Sequence, residues 1–150
     1  VAVYSNDSFK TSFLSGVRTA VNDNSTARIY VYKGTLPADY DDIDQHYYYG
    51  TGDLYYTDYL GTYFGQTAVN NGVFELTNPG LNSWNAAFSG TATWFLMIPS
   101  NTSTLEKQGL VGTVTDIANL STTPAPMVLT DNNVVAGQPL IVTQFSMKVL

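Results

Sequence analysis

The side chains best able to do chemistry in this chain crowd into one stretch. Asp39, Asp41, Asp42 and Asp44 put four carboxylates within six residues, and His46, Tyr47, Tyr48 and Tyr49 follow directly. Grouped carboxylates suggest calcium, which takes six to eight oxygen ligands. The EF-hand register fails here, because counting from Asp39 places Ile43 at position 5 and Asp44 at position 6. What remains is either an irregular surface calcium site or a solvated acidic loop. His46 is the only histidine and there is no cysteine, so sites built from two or three His, or from Cys, cannot form. A Ser-His-Asp triad would have to run through His46, and no Gly-x-Ser-x-Gly turn presents a nucleophile. Asp53 and Asp58 are as good a carboxylate pair for glycoside hydrolysis as any other among twelve acids. Glycine-rich phosphate loops are missing. The expectation is therefore no enzyme activity, no cofactor and no required metal.

Binding is better supported than catalysis. Eight of the eleven tyrosines fall between residues 40 and 63, and no Lys or Arg occurs from Gly34 through Glu106. Tyrosine brings a large, fairly rigid contact area and one hydroxyl. Tyr47, Tyr48, Tyr49, Tyr55, Tyr56, Tyr59 and Tyr63 could fill pockets on another subunit, stack on sugar rings, or cover the domain's own sheet. Three tyrosines in a row cannot all face inward from a strand, where side chains alternate. The expected partner-binding set is Asp41, Asp42, Asp44, Tyr47, Tyr48, Tyr49, Tyr55 and Tyr56, with basic groups on the partner answering the acids.

The whole chain agrees with this. At 150 residues, formal charge −6 and pI about 4.3, it lacks the basic clusters that phosphate backbones or anionic membranes require. No apolar run approaches the ~20 residues of a membrane helix, and the first residues show no basic-then-apolar leader pattern. Nucleic acid and membrane are not expected partners. Four glycosylation sequons, at Asn6, Asn24, Asn101 and Asn119, are the number that an Asn- and Thr-rich chain produces by chance.

The elements that must carry these residues are mostly strands. Charged residues are only 12%, while there are 19 Thr, 12 Asn and 11 Ser; Thr, Val and Tyr favour strands, and Glu, which solvated helices lean on, occurs twice. One helix is expected at about 8–22, capped by Asn6, Asp7 or Ser8, with Phe9, Phe13, Val17 and Val21 in one line and Leu14 and Ala20 on the same face, packed on a sheet or docked on a neighbouring subunit. Strands are expected at 27–33, 53–59, 73–76, 90–98, 107–114, 126–130 and 138–149. Asn70-Asn71-Gly72 marks a hairpin turn, and a slip in alternation between 142 and 145 marks a bulge or a change of face. The expected core is Ile29, Val31, Phe74, Trp94, Leu96, Val111, Leu140 and Val142, with Trp84 in a loop over one end of the sheet. The fold class is mainly β: a single domain over 1–150, an antiparallel β-sandwich or barrel-like structure at about 27–150 with one N-terminal α-helix.

Three phrases in order, Gly90-Thr-Ala-Thr-Trp-Phe95, Gly109-Leu-Val-Gly-Thr-Val114 and Ala136-Gly137-Gln138 running on to Val142-Thr-Gln-Phe145, resemble small virion-associated proteins of tailed bacteriophages. Upstream, Arg28-Ile-Tyr-Val-Tyr-Lys-Gly-Thr-Leu-Pro-Ala-Asp39 is similar to their early strand and turn. The acidic, Tyr-rich stretch 40–49 departs from the shorter link usual there. The resemblance implies a non-enzymatic virion component, either a head decoration or cement protein or a head–tail junction protein. Such a protein is made in the host cytoplasm, contacts capsid or neck subunits and is repeated as a homo-oligomer in the particle. The alternative is a carbohydrate-binding or receptor-binding β-sandwich module that uses the Tyr-rich surface.

Overall fold

The computed structural model describes residues 6–21, 26–38, 58–77, 84–98 and 110–148. Helix α1 is Asp7–Val21, and the strands are β1 Thr26–Tyr32, β2 Tyr59–Asn70, β3 Val73–Leu76, β4 Trp84–Asn85, β5 Gly90–Thr91, β6 Trp94–Ile98, β7 Leu110–Asp116, β8 Met127–Leu129, β9 Asn133–Val134, β10 Pro139–Leu140 and β11 Val142–Lys148. Among the described residues the protein is mainly β with one helix. Seven strands close a ring in the order β1-β2-β3-β11-β8-β7-β6 and back to β1. Six of these pairs are antiparallel, but β7 and β8 run parallel, Val114 beside Met127. The fully antiparallel sheet expected from the turns is impossible in this ring, because an odd number of strands cannot alternate direction all the way round. The Ile117–Pro126 connection carries the chain back to the starting end for that parallel pairing.

Hydrophobic alternation sets which face of each strand looks inward. Ile29 and Val31 of β1 face the barrel interior with Phe74, Phe95, Met97, Val114, Met127 and Phe145. Phe145 packs edge-to-face on both Phe74 and Phe95, with ring centroids 6.1 and 5.3 Å apart. Gly112 leaves room for the Phe95 ring, whose edge lies 2.8 Å from where a Cβ would stand. The expected bulge is present: the β11–β8 register shifts between Val142 and Gln144.

Helix α1 starts where expected. Asn6 is its N-cap, its carbonyl accepting from Lys10 N–H at 3.1 Å. It buries part of the predicted face, and the side chains of Phe9, Ala20 and Val21 lie outside the described residues. Leu14 is 1% exposed and Val17 packs on the core, whereas Phe13 is 54% exposed. Phe13 lies about 100° around the helix from Leu14, on a side that the barrel leaves exposed. The helix seats on the β2–β3 end of the barrel, where Gly72 N–H donates to Thr11 Oγ1 at 2.8 Å.

Strand boundaries differ from expectation where glycine and the ribbon intervene. Residues 53–57 of the strand expected at 53–59 lie outside the described residues, and β2, twelve residues long, begins at Tyr59. The stretch 90–98 divides at Ala92-Thr93 and the stretch 138–149 divides at Ile141. Trp84 is in β4 and not in a loop, paired with Leu140. Seven of the eight expected core residues are buried; Val111 is half-buried, on the outer wall of the barrel.

Candidate functional site

The site begins with an extra residue in β2. Val31 pairs with Gly61 and Tyr32 with Tyr59, so Leu60 is left over as a bulge. Its carbonyl accepts from Ala87 N–H at 2.8 Å and Phe88 N–H at 3.2 Å. Those two bonds tie a ribbon across the end of the barrel opposite the helix. The ribbon pairs β4 with β10 and β5 with β9, while Ala86 and Gln138 and then Gly137 and Ala86 exchange backbone bonds of 2.8 Å between them. Gly61 allows the close approach, since a Cβ there would touch Ala86 and Leu140 at 3.4 Å. Leu60, Ala86, Ala92, Val134 and Leu140 plug the barrel under the ribbon.

Around the same end, the outward faces of β1, β2 and β6 are also dry. Tyr32 stacks on Trp94 with ring centroids 4.2 Å apart. Tyr59 leans on Tyr32 at 5.9 Å and on Tyr30 at 6.3 Å, and Phe88 meets Tyr59 edge-on at 6.2 Å. The run therefore passes from Trp94, fully buried, through Tyr32 and half-buried Tyr59 to Phe88, which is 50% exposed. Polar tips are satisfied locally: Trp94 Nε1–H donates to Lys33 O at 3.1 Å, and the Tyr59 and Thr62 hydroxyls bond at 2.6 Å. The ring at the surface is thus held by the backbone bond to Leu60 and by the rings behind it.

The long β1–β2 connection leaves from this rim and re-enters at it. Lys33 N–H donates to Asp58 O at 2.8 Å, closing its mouth. Gly34, at φ 86°, turns the chain away, and the Asp58 carboxylate lies where a Gly34 Cβ would stand, with Oδ2 2.7 Å from that position. Thr93 Oγ–H donates to Gly34 O at 2.6 Å and fixes the turn. The expected contact residues Asp41, Asp42, Asp44, Tyr47, Tyr48, Tyr49, Tyr55 and Tyr56 all lie on it, outside the described residues, as do His46, Asp53 and the Asp39–Asp44 carboxylates. Of the tyrosines beyond that set, Tyr59 is in the aromatic run; the backbone of Tyr63 pairs with Ile29, and its side chain is outside the described residues.

Sequence reasoning passed over three residues at this end: Phe88, Val135, which is 55% exposed, and Ile141. Phe88 and Val135 stand in turn-rich stretches with no period to mark them, and Ile141 falls in the expected strand 138–149 between the core residues Leu140 and Val142. Val135 and Ile141, with Asp131, Val134, Gln138 and Leu140, line an open groove of about 280 Å³ along the ribbon. Asp131 is committed to its own turn, accepting from Asn133 N–H at 2.8 Å. Asp116 likewise accepts from Asn119 N–H and Nδ2–H at 2.8 and 2.7 Å, which places the Asn119 sequon amide in an Asx-type turn. Among the described residues, no three His, Cys, Asp or Glu side chains converge as metal ligands, and no helix is long and apolar enough to cross a membrane.

No family model, curated protein or solved structure matches the chain.

Proposed function

We propose that this chain is a non-enzymatic structural component of a tailed-phage virion, on the head as decoration or cement or at the head–tail junction, held by protein–protein contacts through the ribbon end of the barrel. The observation that carries the contact surface is Phe88. It is a half-exposed aromatic ring fixed by Tyr59 and by the Leu60 carbonyl. A ring already fixed before contact loses little freedom on binding, and buried aromatics carry much of an interface's energy. Val135 and Ile141 extend the apolar surface on the same ribbon. In sequence, residues 29–105 hold a single cation, Lys33, against Asp58 and the other acids of the β1–β2 connection. A basic rim on the partner complements that charge. The virion setting itself rests on the sequence phrases.

Purified particles from the source phage test the reading. The chain is expected in them by mass spectrometry, with the barrel at symmetry-repeated positions in electron cryomicroscopy and its ribbon end against a neighbour. Phe88→Ser with Val135→Ser should fold like the unmodified chain yet fail to incorporate. Absence of the chain from particles overturns the proposal. The carbohydrate-binding alternative uses the Tyr-rich surface, and glycan binding lost on removal of those tyrosines would favour it.

A further inference from the structure

The pair Asn71-Gly72 occurs once in the sequence as an Asn-Gly dipeptide. It forms the two-residue loop between β2 and β3, with Asn70 paired to Val73 across it. Both central residues have positive φ, 48° at Asn71 and 75° at Gly72. That is the turn whose twist suits a hairpin, and Asn-Gly is its preferred sequence. The features that suit this turn also suit another reaction. Asn carries an amide within ring-closing distance of the next backbone nitrogen, and Gly has no Cβ to shield that nitrogen.

We propose that Asn71 is a latent deamidation site kept silent by the docking of helix α1. In the reaction the Gly72 nitrogen attacks Asn71 Cγ, the Cγ–Nδ2 bond breaks, and ammonia leaves with the proton from the Gly72 amide. Water then opens the resulting succinimide to aspartate or isoaspartate. Asn71 is exposed and open to solvent, but Gly72 is buried. The Gly72 N–H is held by Thr11 Oγ1 at 2.8 Å, sixty-one residues away in sequence. The Lys10 stem covers the glycine, its Cβ lying 3.1 Å and its Cδ 3.4 Å from where a Gly72 Cβ would be. Ring closure must swing the Gly72 nitrogen onto Asn71 Cγ, which breaks the Thr11 bond and needs space that Lys10 fills. Deamidation therefore proceeds from the state in which α1 has lifted off the turn, and its rate follows how often the helix opens.

The product keeps a record of that opening. Isoaspartate adds a methylene to the main chain inside a two-residue loop, and either product adds a carboxylate beside Asn70 and Glu75, whose side chains bond at 3.3 Å. Both changes weaken the turn on which α1 rests, so one opening event favours the next.

The full chain incubated in mildly alkaline buffer tests this, with peptide mapping by mass spectrometry to locate aspartate and isoaspartate at position 71. The folded chain should deamidate more slowly than the same chain in urea by roughly tenfold or more, because reaction is confined to the open fraction. Thr11→Val, which keeps the shape and removes the acceptor, should raise the folded-state rate several-fold. Thr11→Ser, which keeps the hydroxyl, should stay close to the unmodified rate. Equal rates in buffer and urea overturn the proposal, and this arm holds even if Thr11→Val fails to fold. A folded Thr11→Val chain that deamidates no faster than the unmodified one also overturns it.

Discussion

The inside of the barrel and the outer wall at its ribbon end are both dry, yet they are built from different side chains. Inside are Ile29, Val31, Phe74, Phe95, Met97, Met127 and Phe145, with no polar tip to satisfy. Outside are Trp94, Tyr32, Tyr59 and Tyr30, with Leu96, Leu36 and Val111. The inner cluster is enclosed on every side, so burial and shape decide its energetics. The outer cluster must end at a surface, and it uses residues with one apolar face and one polar atom. Trp94 Nε1–H ends on Lys33 O and the Tyr59 hydroxyl on Thr62. The difference teaches that the outer wall can stay ordered up to its last ring, Phe88, while leaving that ring half uncovered.

The comparison is sharpest where both clusters are cut to alanine. Phe145→Ala and Trp94→Ala should each cost about 3–5 kcal/mol in a reversible urea melt, as fully buried large rings do. A loss below about 1 kcal/mol for Trp94→Ala would mean that the outer cluster is a surface layer and not a second core.

Adding volume separates enclosed from open space. Gly112→Ala pushes a methyl group into the Phe95 ring, which Phe145 blocks from behind, and should cost about 1–3 kcal/mol. At the rim, Gly34→Ala meets positive φ and the Asp58 carboxylate. The left-handed conformation alone costs roughly 1–2 kcal/mol, and the Asp58 side chain can turn away toward solvent. A loss clearly larger for Gly34→Ala than for Gly112→Ala in a side-by-side melt would break the contrast between the two regions.

Removing one polar atom affects the outer wall alone. Tyr59→Phe keeps the ring contacts and loses the bond to Thr62, a loss of about 0.5–1.5 kcal/mol. A neutral result would show that the hydroxyl is as well served by water. The smallest expected effect is at the end of the run: Phe88→Ser should shift stability by no more than about 0.5 kcal/mol, as exposed substitutions do. A melt lowered well beyond that would assign Phe88 to the fold and remove it from the contact surface.

Much of the barrel was legible. The alternation of Ile29 and Val31, the apolar run from Trp94 to Ile98 and the phase slip after Val142 each identify a strand or bulge that the structure contains. β2 was not legible. Gly61 and Gly65 and the polar Thr62, Gln66 and Thr67 blur its period, and glycine weakens strand preference wherever it stands. Phe13 misled because helical spacing gives the angle between residues but not how wide a face the partner can cover. Of the candidate site, the sequence marked the acidic, Tyr-rich connection and Tyr59 but not Phe88, Val135 or Ile141.

By itself the sequence determined the class of the fold, its one helix, most strands and the acidic, cation-free connection, because these depend on local period and composition. Tertiary structure alone decided the parallel β7–β8 pair, since that follows from closing seven strands into a ring. It also decided that the second face of β1 is covered, with Tyr32 stacked on Trp94. Finally, it set residues 84–92 against 132–140, so that the Leu60 bulge could hold Phe88 at the surface. Each of these joins segments far apart in the chain, and pairing at that distance depends on which groups remain unsatisfied once the local elements have formed.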